Sequence, residues 1–410
     1  MAFSDHMVRA IVTAVAGLLL LAAAPASAKV PRDWLGVVAD GRMTDSPAAV
    51  ADEWTRLGRS GAGHVRARFY WRRAQPAGPG TTDLAASDAV VVAAAQQGLG
   101  VLPVVFGTPD WAGSDDSGES SPPRRTADLG RYLKALVGRY GPSGTLWNEH
   151  PELARRPIRH WQIWNEPNLT QYWSRQPFAR SFVRVLRAAR RALREADRRA
   201  KVVLAGLPNR SWIALRSIYR AGGRKAFDAV ALHPYTGKPG HVVKLVRLAR
   251  REMARFRDAR KPVWITELSW PATKGTRRST GFETSNAGQA QRLRRALHLL
   301  AAEHRSLRIR RVYWYTWLSV EEGPNAFGWS GLRRVRVYRV PRPTRRDGGF
   351  GGGRRSRAPH RRRGARGPSH GRRAGGGDAL PLGGRTRARG CRRDQRRGVV
   401  AGSRGACRVA

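Results

Sequence analysis

Cysteine is nearly absent from this chain. Its 410 residues hold two, Cys391 and Cys407, and the first 332 positions hold none. Over that stretch a disulfide framework and a thiolate metal site are both excluded. Acidic residues are scarce as well: 29 Asp and Glu stand against 77 Lys and Arg, a net charge of +48. After the N-terminus no apolar run approaches the ~18 residues that a membrane-spanning helix needs. Several motifs are missing too. No G-x-G-x-x-G opens the first βα turn, which speaks against a dinucleotide fold. No G-x-S-x-G elbow suggests serine hydrolase chemistry. No H-E-x-x-H and no calcium-loop spacing occurs, and His160, His233 and His241 lack a partner four residues away, so no metal is expected.

The two ends differ from the rest. Arg9 precedes the apolar run Ala10–Ala24, and Ala26-Ser27-Ala28 supplies a small-residue cleavage pattern. Residues 1–28 are therefore expected to be a signal peptide cleaved near Ala28, and the protein to be secreted; an uncleaved anchor helix is the other reading. From Arg333 to Ala410 there are 25 Arg, three Asp, no Lys and no Glu. Hydrophobic periodicity vanishes there, and Gly, Arg, Pro and Ala fill the segment as in disordered chains. Residues 333–410 are expected to be a disordered basic tail. Out-of-frame translation of a GC-rich gene is the preferred account, because such codons shift into Arg, Gly, Ala and Pro. A genuine tail for anionic polymers is the alternative, and resequencing across the Leu332 codon separates the two.

Residues 29–332 have a different grammar. Eight short β-like runs recur: Trp34–Ala39, Val65–Tyr70, Val101–Phe106, His160–Trp164, Lys201–Ala205, Phe227–Leu232, Val263–Thr266 and Arg311–Thr316. Helical patterns lie between them, most clearly Phe178–Arg199, Lys244–Arg257 and Ala287–His304, the first with Phe182, Val185, Leu186, Ala189 and Leu193 at helical spacing. Eight strands alternating with helices predict a (β/α)8 TIM barrel whose last helix is missing or replaced by the tail. Catalytic side chains in such a barrel sit at the C-terminal ends of strands.

Two of those ends carry a carboxylate. Glu166 closes the fourth run in "HWQIWNEPN", and Glu267 closes the seventh in "VWITELSW". Alternation along the fourth run puts Trp161 and Ile163 on one face, with Gln162, Trp164 and Glu166 on the other. Paired carboxylates across a barrel mouth are the minimum equipment for glycosidic cleavage, one to protonate the leaving oxygen and one to attack the anomeric carbon.

Trp164-Asn165-Glu166-Pro167 followed about a hundred residues later by Thr266-Glu267 resembles the clan A retaining glycoside hydrolases, most nearly the family 39 and family 5 branches, β-xylosidase-like and cellulase-like enzymes. The resemblance spans roughly residues 33 to 331. It implies a TIM barrel, no cofactor, Glu166 as acid/base and Glu267 as nucleophile. It further implies substrate-binding roles for Arg66, which would keep the nucleophile ionised, and for Asn165, which would bind the hydroxyl beside the anomeric carbon. His233 and Tyr235 fall where the clan places partners of the nucleophile. Trp317 would form a stacking floor for the sugar, and the 14 Trp as a set suit a carbohydrate groove. Arg68 departs from the pattern, which leads one to expect a smaller or acidic residue.

The expected partner is a poly- or oligosaccharide, with no specific nucleic acid partner, no stable membrane span after signal cleavage, and a monomeric state. The rival reading is a non-catalytic carbohydrate- or polyanion-binding barrel, since a field of this sign attracts polyanions without sequence choice. The arginines of Arg184–Arg199 read as a solvated helix face.

Overall fold

The computed structural model describes residues 30–31, 33–274, 281–319 and 325–334. The expected signal peptide, both cysteines and all but the first two residues of the expected tail lie outside the described residues.

Nine parallel segments form one sheet: β1 Leu35–Val38, β2 His64–Tyr70, β3 Gly100–Phe106, β4 His160–Ile163, β5 Lys201–Val203, β6 Leu207–Pro208, β7 Val230–His233, β8 Val263–Ile265 and β9 Ile309–Trp314, in the order β5-β4-β3-β2-β1-β9-β8-β7-β6. The two edges are halves of one interrupted strand. Val203 bridges to Ala229, and Leu207 pairs with Leu232, so the sheet closes on itself. Counting β5 and β6 together gives the eight strands of a (β/α)8 barrel, and each of the eight expected runs overlaps one.

Seven helices follow successive strands: α1 Ala51–Gly58, α2 Ala85–Gln96, α3 Thr126–Tyr140, α4 Ala179–Ala196, α5 Ser211–Arg220, α6 Pro239–Arg255 and α7 Asn286–Ala302. Local chemistry sets their limits. Pro239 occupies the first turn of α6, where its missing N–H is no loss, and the Ser285 hydroxyl accepts from Gly288 N to cap α7. Helix α4 buries Phe182, Val185, Leu186, Ala189 and Leu193 and turns Arg184, Arg187, Arg191 and Arg194 to solvent. Its arginines are thus a solvated face, as the spacing predicts.

Among the described residues β9 is followed by a 3-10 turn, Ala326–Trp329, and no α-helix. Beyond the barrel, β10 Leu318–Ser319 pairs in parallel with β11 Arg333–Arg334, and Arg333 donates to both oxygens of Glu53 on α1. Regular pairing therefore runs two residues past Leu332.

The two-residue period of the strands sorts side chains into two cores. Val37 and Ala39, Val65, Ala67 and Phe69, Trp161 and Ile163, Val230 and Leu232, and Val312 and Trp314 pack outward against helices. Val38, Ala231, Trp264 and Tyr313 fill the barrel interior. Continuing the inward series toward the strand C-terminal ends reaches Arg66, Arg68, Gln162, His233 and Tyr315. This alternation decides which side chains meet at the mouth.

Candidate active site

A cavity of about 800 Å³ opens at the C-terminal ends of the strands, with Glu166 and Glu267 in its wall. Arg66 organises its floor. Its side chain is only 2% exposed, so every donor needs a partner. The guanidinium gives Nε to Gln162 Oε1 at 2.7 Å, Nη1 to Glu267 Oε1 at 2.7 Å and Nη2 to Asn165 Oδ1 at 2.9 Å. Gln162 is oriented in turn by donating to Leu204 O at 3.0 Å.

Tyr235 donates its hydroxyl to the second oxygen of Glu267, Oε2, at 2.7 Å. Both oxygens of this carboxylate thus accept from fixed donors, which favours the ionised form. Burial pushes the Glu267 carboxyl up, but His233, Arg66, the Tyr235 hydrogen bond and Arg68 outweigh it and hold it below the usual carboxylate range. Burial and the two glutamates keep the Tyr235 hydroxyl protonated, raised well above its ordinary value.

Glu166 meets a different partner. His233 Nδ1 lies 2.6 Å from Glu166 Oε1 and 3.6 Å from Glu267 Oε2. The other ring nitrogen, Nε2, is buried with no hydrogen-bond partner. With Nε2 unpartnered, the ring's hydrogen bond in this site is the one from Nδ1–H to Glu166. Gly206 makes this placement possible: a Cβ there would lie 1.8 Å from His233 Nε2. Its carbonyl also accepts from the Glu166 backbone N–H at 3.2 Å.

The expected facing of Trp164 is corrected. Trp164 and Glu166 have positive φ, 72° and 40°, so alternation breaks just after β4. Trp164 turns away from Gln162 and Glu166 and packs in the outer core against Phe106 and Trp173, its indole donating to Tyr172 O at 2.5 Å. Backbone strain of this kind clusters where a side chain must be aimed. Here it turns Glu166 into the mouth.

Arg66, Asn165, Glu166, His233, Tyr235 and Glu267 are thus brought together from β2 and from the ends of β4, β7 and β8. Trp317 is not. Its indole donates to Glu53 Oε2 at 3.1 Å, its ring packs in the core, and it does not line the cavity. None of the lining residues is Trp; the aromatic wall is Tyr172, Tyr235, Phe282, Tyr315 and Phe327. Tyr235 stacks on Phe282 with centroids 5.7 Å apart and meets Phe327 edge-on at 5.0 Å.

Sequence reasoning also passed over Asp40 and Tyr315. Asp40 pairs with Arg68 at 3.2 Å and accepts from Tyr315 at 3.2 Å, so the unexpected Arg68 is a wall residue held by a carboxylate. Both residues sit just past strand ends, and the strand-end rule that singled out Glu166 reaches them too.

Glu166, His233 and Glu267 each offer a ligand atom within 4.8 Å of the others, a set that chain spacing conceals because its members come from three strands. With Glu267 already accepting from Arg66 and Tyr235, the trio serves a hydrogen-bond network better than a cation.

No family model matches the chain, and no curated protein does. Solved structures do. A family 39 glycoside hydrolase from Bacteroides cellulosilyticus superposes with a TM-score of 0.56 at 16% identity, covering 75% of this chain and 61% of that one. A monomeric β-xylosidase from Caulobacter crescentus gives 0.56 at 18%, covering 75% and 66%. A family 39 enzyme from Xanthomonas axonopodis gives 0.57 at 16%, covering 75% and 64%. The chain spans less than two thirds of each. In fold, over three quarters of its length, this chain is similar to family 39 glycoside hydrolases.

Proposed function

We propose that the protein is a glycoside hydrolase acting by a retaining double displacement, with Glu166 as acid/base and Glu267 as nucleophile. The observation that carries this reading is the pair itself: two buried carboxylates with oxygens within 4.8 Å in one cavity, in unlike environments. Such closeness suits the ~5–5.5 Å carboxyl spacing of retaining enzymes and leaves no room for the water that inverting enzymes hold across ~6.5–9.5 Å.

Glu267, ionised by Arg66 and Tyr235, attacks the anomeric carbon while Glu166 gives its proton to the departing glycosidic oxygen. The bond to the leaving group breaks as the glycosyl ester on Glu267 forms. Glu166, now a carboxylate steadied by His233 Nδ1–H, takes a proton from water, whose oxygen displaces Glu267 and restores the starting state. Asn165, oriented by Arg66, faces the sugar beside the anomeric carbon. Tyr and Phe rings, rather than the expected Trp317, supply the apolar wall for sugar C–H groups. The solved structures similar in fold include a β-xylosidase and an exo-β-1,4-mannosidase, which supports a saccharide substrate.

The sequence pattern at Ala26-Ser27-Ala28 supports action outside the cell on a poly- or oligosaccharide. The test is Glu267→Ala on a panel of aryl glycosides. Turnover falls by at least ~10³-fold and added azide restores part of it, because a small anion fills the vacated position. Undiminished activity in the variant refutes the assignment.

A further inference from the structure

The opposite end of the barrel holds a second concavity, of about 330 Å³. His64 begins β2, Gly100 begins β3 and His160 begins β4, whereas Glu166 and Glu267 follow the far ends of β4 and β8. Because all the strands run parallel, the two cavities lie at opposite mouths.

The lining is unusual in charge. It includes His64, Arg155, Arg156, Arg159, His160 and Arg311, and no carboxylate. Several arginines elsewhere in the barrel find acids: Arg139 with Asp88, Arg190 with Asp228, Arg216 with Glu252. Here Arg159 is satisfied by Asp197 at 3.3 Å and Arg155 by the Asn148 amide oxygen at 2.8 Å. Arg156 and Arg311 have no ion-pair partner among the described residues. Arg311 instead lies over the Trp264 ring, 4.9 Å from its centroid, and the His160 ring meets the same indole at a tilt, 5.1 Å away. The nearby acid Asp228 is occupied by Arg190 and by the Val202 N–H.

Small residues make the space. A Cβ at Gly100 would lie 2.5 Å from the His64 ring, and one at Gly98 would lie 3.4 Å from Arg156 Nη2. His64 Nδ1 is buried and has no partner. Burial first, then Arg311, His160 and Arg156, keep the His64 imidazole neutral, pushed down to about 3. Two guanidinium groups without a carboxylate partner at one hollow are what a tetrahedral oxyanion needs: planar forked donors with no competing acid.

We propose that this concavity is an oxyanion-binding site, which takes a phosphate or sulfate group, free or carried on a polymer, between Arg156 and Arg311. The full-length protein is titrated calorimetrically with inorganic phosphate at constant ionic strength. The expected result is saturable one-site binding, weakened at least tenfold by Arg156→Ala and unchanged by Arg191→Ala, an exposed arginine of α4 that removes the same charge elsewhere. Neither variant alters aryl glycoside hydrolysis, since both lie away from the glutamates. Absence of saturable binding overturns the proposal, and so does equal weakening by the two variants, which would reduce the effect to the overall charge of the chain. With the arginine-dependent site established, dextran sulfate separates the sources. Displacement of bound phosphate at a lower concentration of sulfate groups assigns the site to a polymer-borne ester; failure to displace assigns it to a free anion.

Discussion

Gly206 is the residue on which the geometry of the mouth converges. Its carbonyl holds the backbone of Glu166, and its missing side chain admits His233, whose Nδ1 touches the same glutamate. Gly206→Ala places a methyl group 1.8 Å from a buried ring nitrogen, so the ring or the strand has to move. We expect kcat to fall at least ~10-fold with about 1–3 kcal/mol of destabilisation, read from aryl glycoside kinetics and urea unfolding. Wild-type kcat in that variant would show that His233 does not position Glu166. At this scale much of the candidate site was legible. Arg66, Asn165, His233 and Tyr235 sit at strand ends whose order the sequence discloses. Trp317 misled because β9 ends at Trp314, three residues before it, and its indole is then drawn to Glu53. The tryptophans misled as a set for a related reason: Trp161, Trp164, Trp173 and Trp270 are wholly buried, and burial of so large an apolar ring outweighs a place on the cavity wall.

The decisive element is the end of β4. Strand alternation carries Gln162 inward to Arg66, and the left-handed turns at Trp164 and Glu166 then re-aim the chain. Trp164 anchors that bend from outside by packing on Phe106 and Trp173. Trp164→Ala leaves a void in the outer core and costs about 3–5 kcal/mol, with kcat falling as Glu166 loses its fixed aim. Urea unfolding measures the first and steady-state kinetics the second; full stability in the variant would remove Trp164 as the anchor. Strands and most helices were readable because period-two and helical spacings follow directly from which face is buried. The bend was not, since positive φ at a Trp is a consequence of tertiary packing that no local pattern announces. Phe282 and Phe327 were equally hidden. Phe282 reaches the cavity wall from a loop and Phe327 from the short 3-10 turn, where no strand or α-helical period fixes direction.

At the scale of the whole molecule, charge is the dominant feature. His64 and His160 are held neutral at the base of the barrel, pushed down to about 3 and about 4 by burial first and then by the cations around them, Arg311 foremost. The unfolded chain takes up protons below pH 6.5 that the folded chain refuses. Stability is therefore greatest above that pH and is lost as pH falls from 6.5 towards 3. For His64, which is partly exposed, the loss between pH 7 and pH 5 is at most about 2 kcal/mol. Urea unfolding at the two pH values should show a smaller drop for His64→Gln than for the wild type; an equal drop would mean that His64 titrates alike in both states. The barrel itself was legible as eight runs, while its closure through β5 and β6 was not, because Leu204-Ala205 interrupts one strand without any break in its apolar pattern. The central claim concerns the chemistry at that mouth. Its most direct test is proton NMR of the anomeric signal of the first-formed sugar during hydrolysis of an aryl glycoside. The account predicts a first product with the configuration of the substrate; a first product of inverted configuration would contradict the assignment of Glu267 as nucleophile.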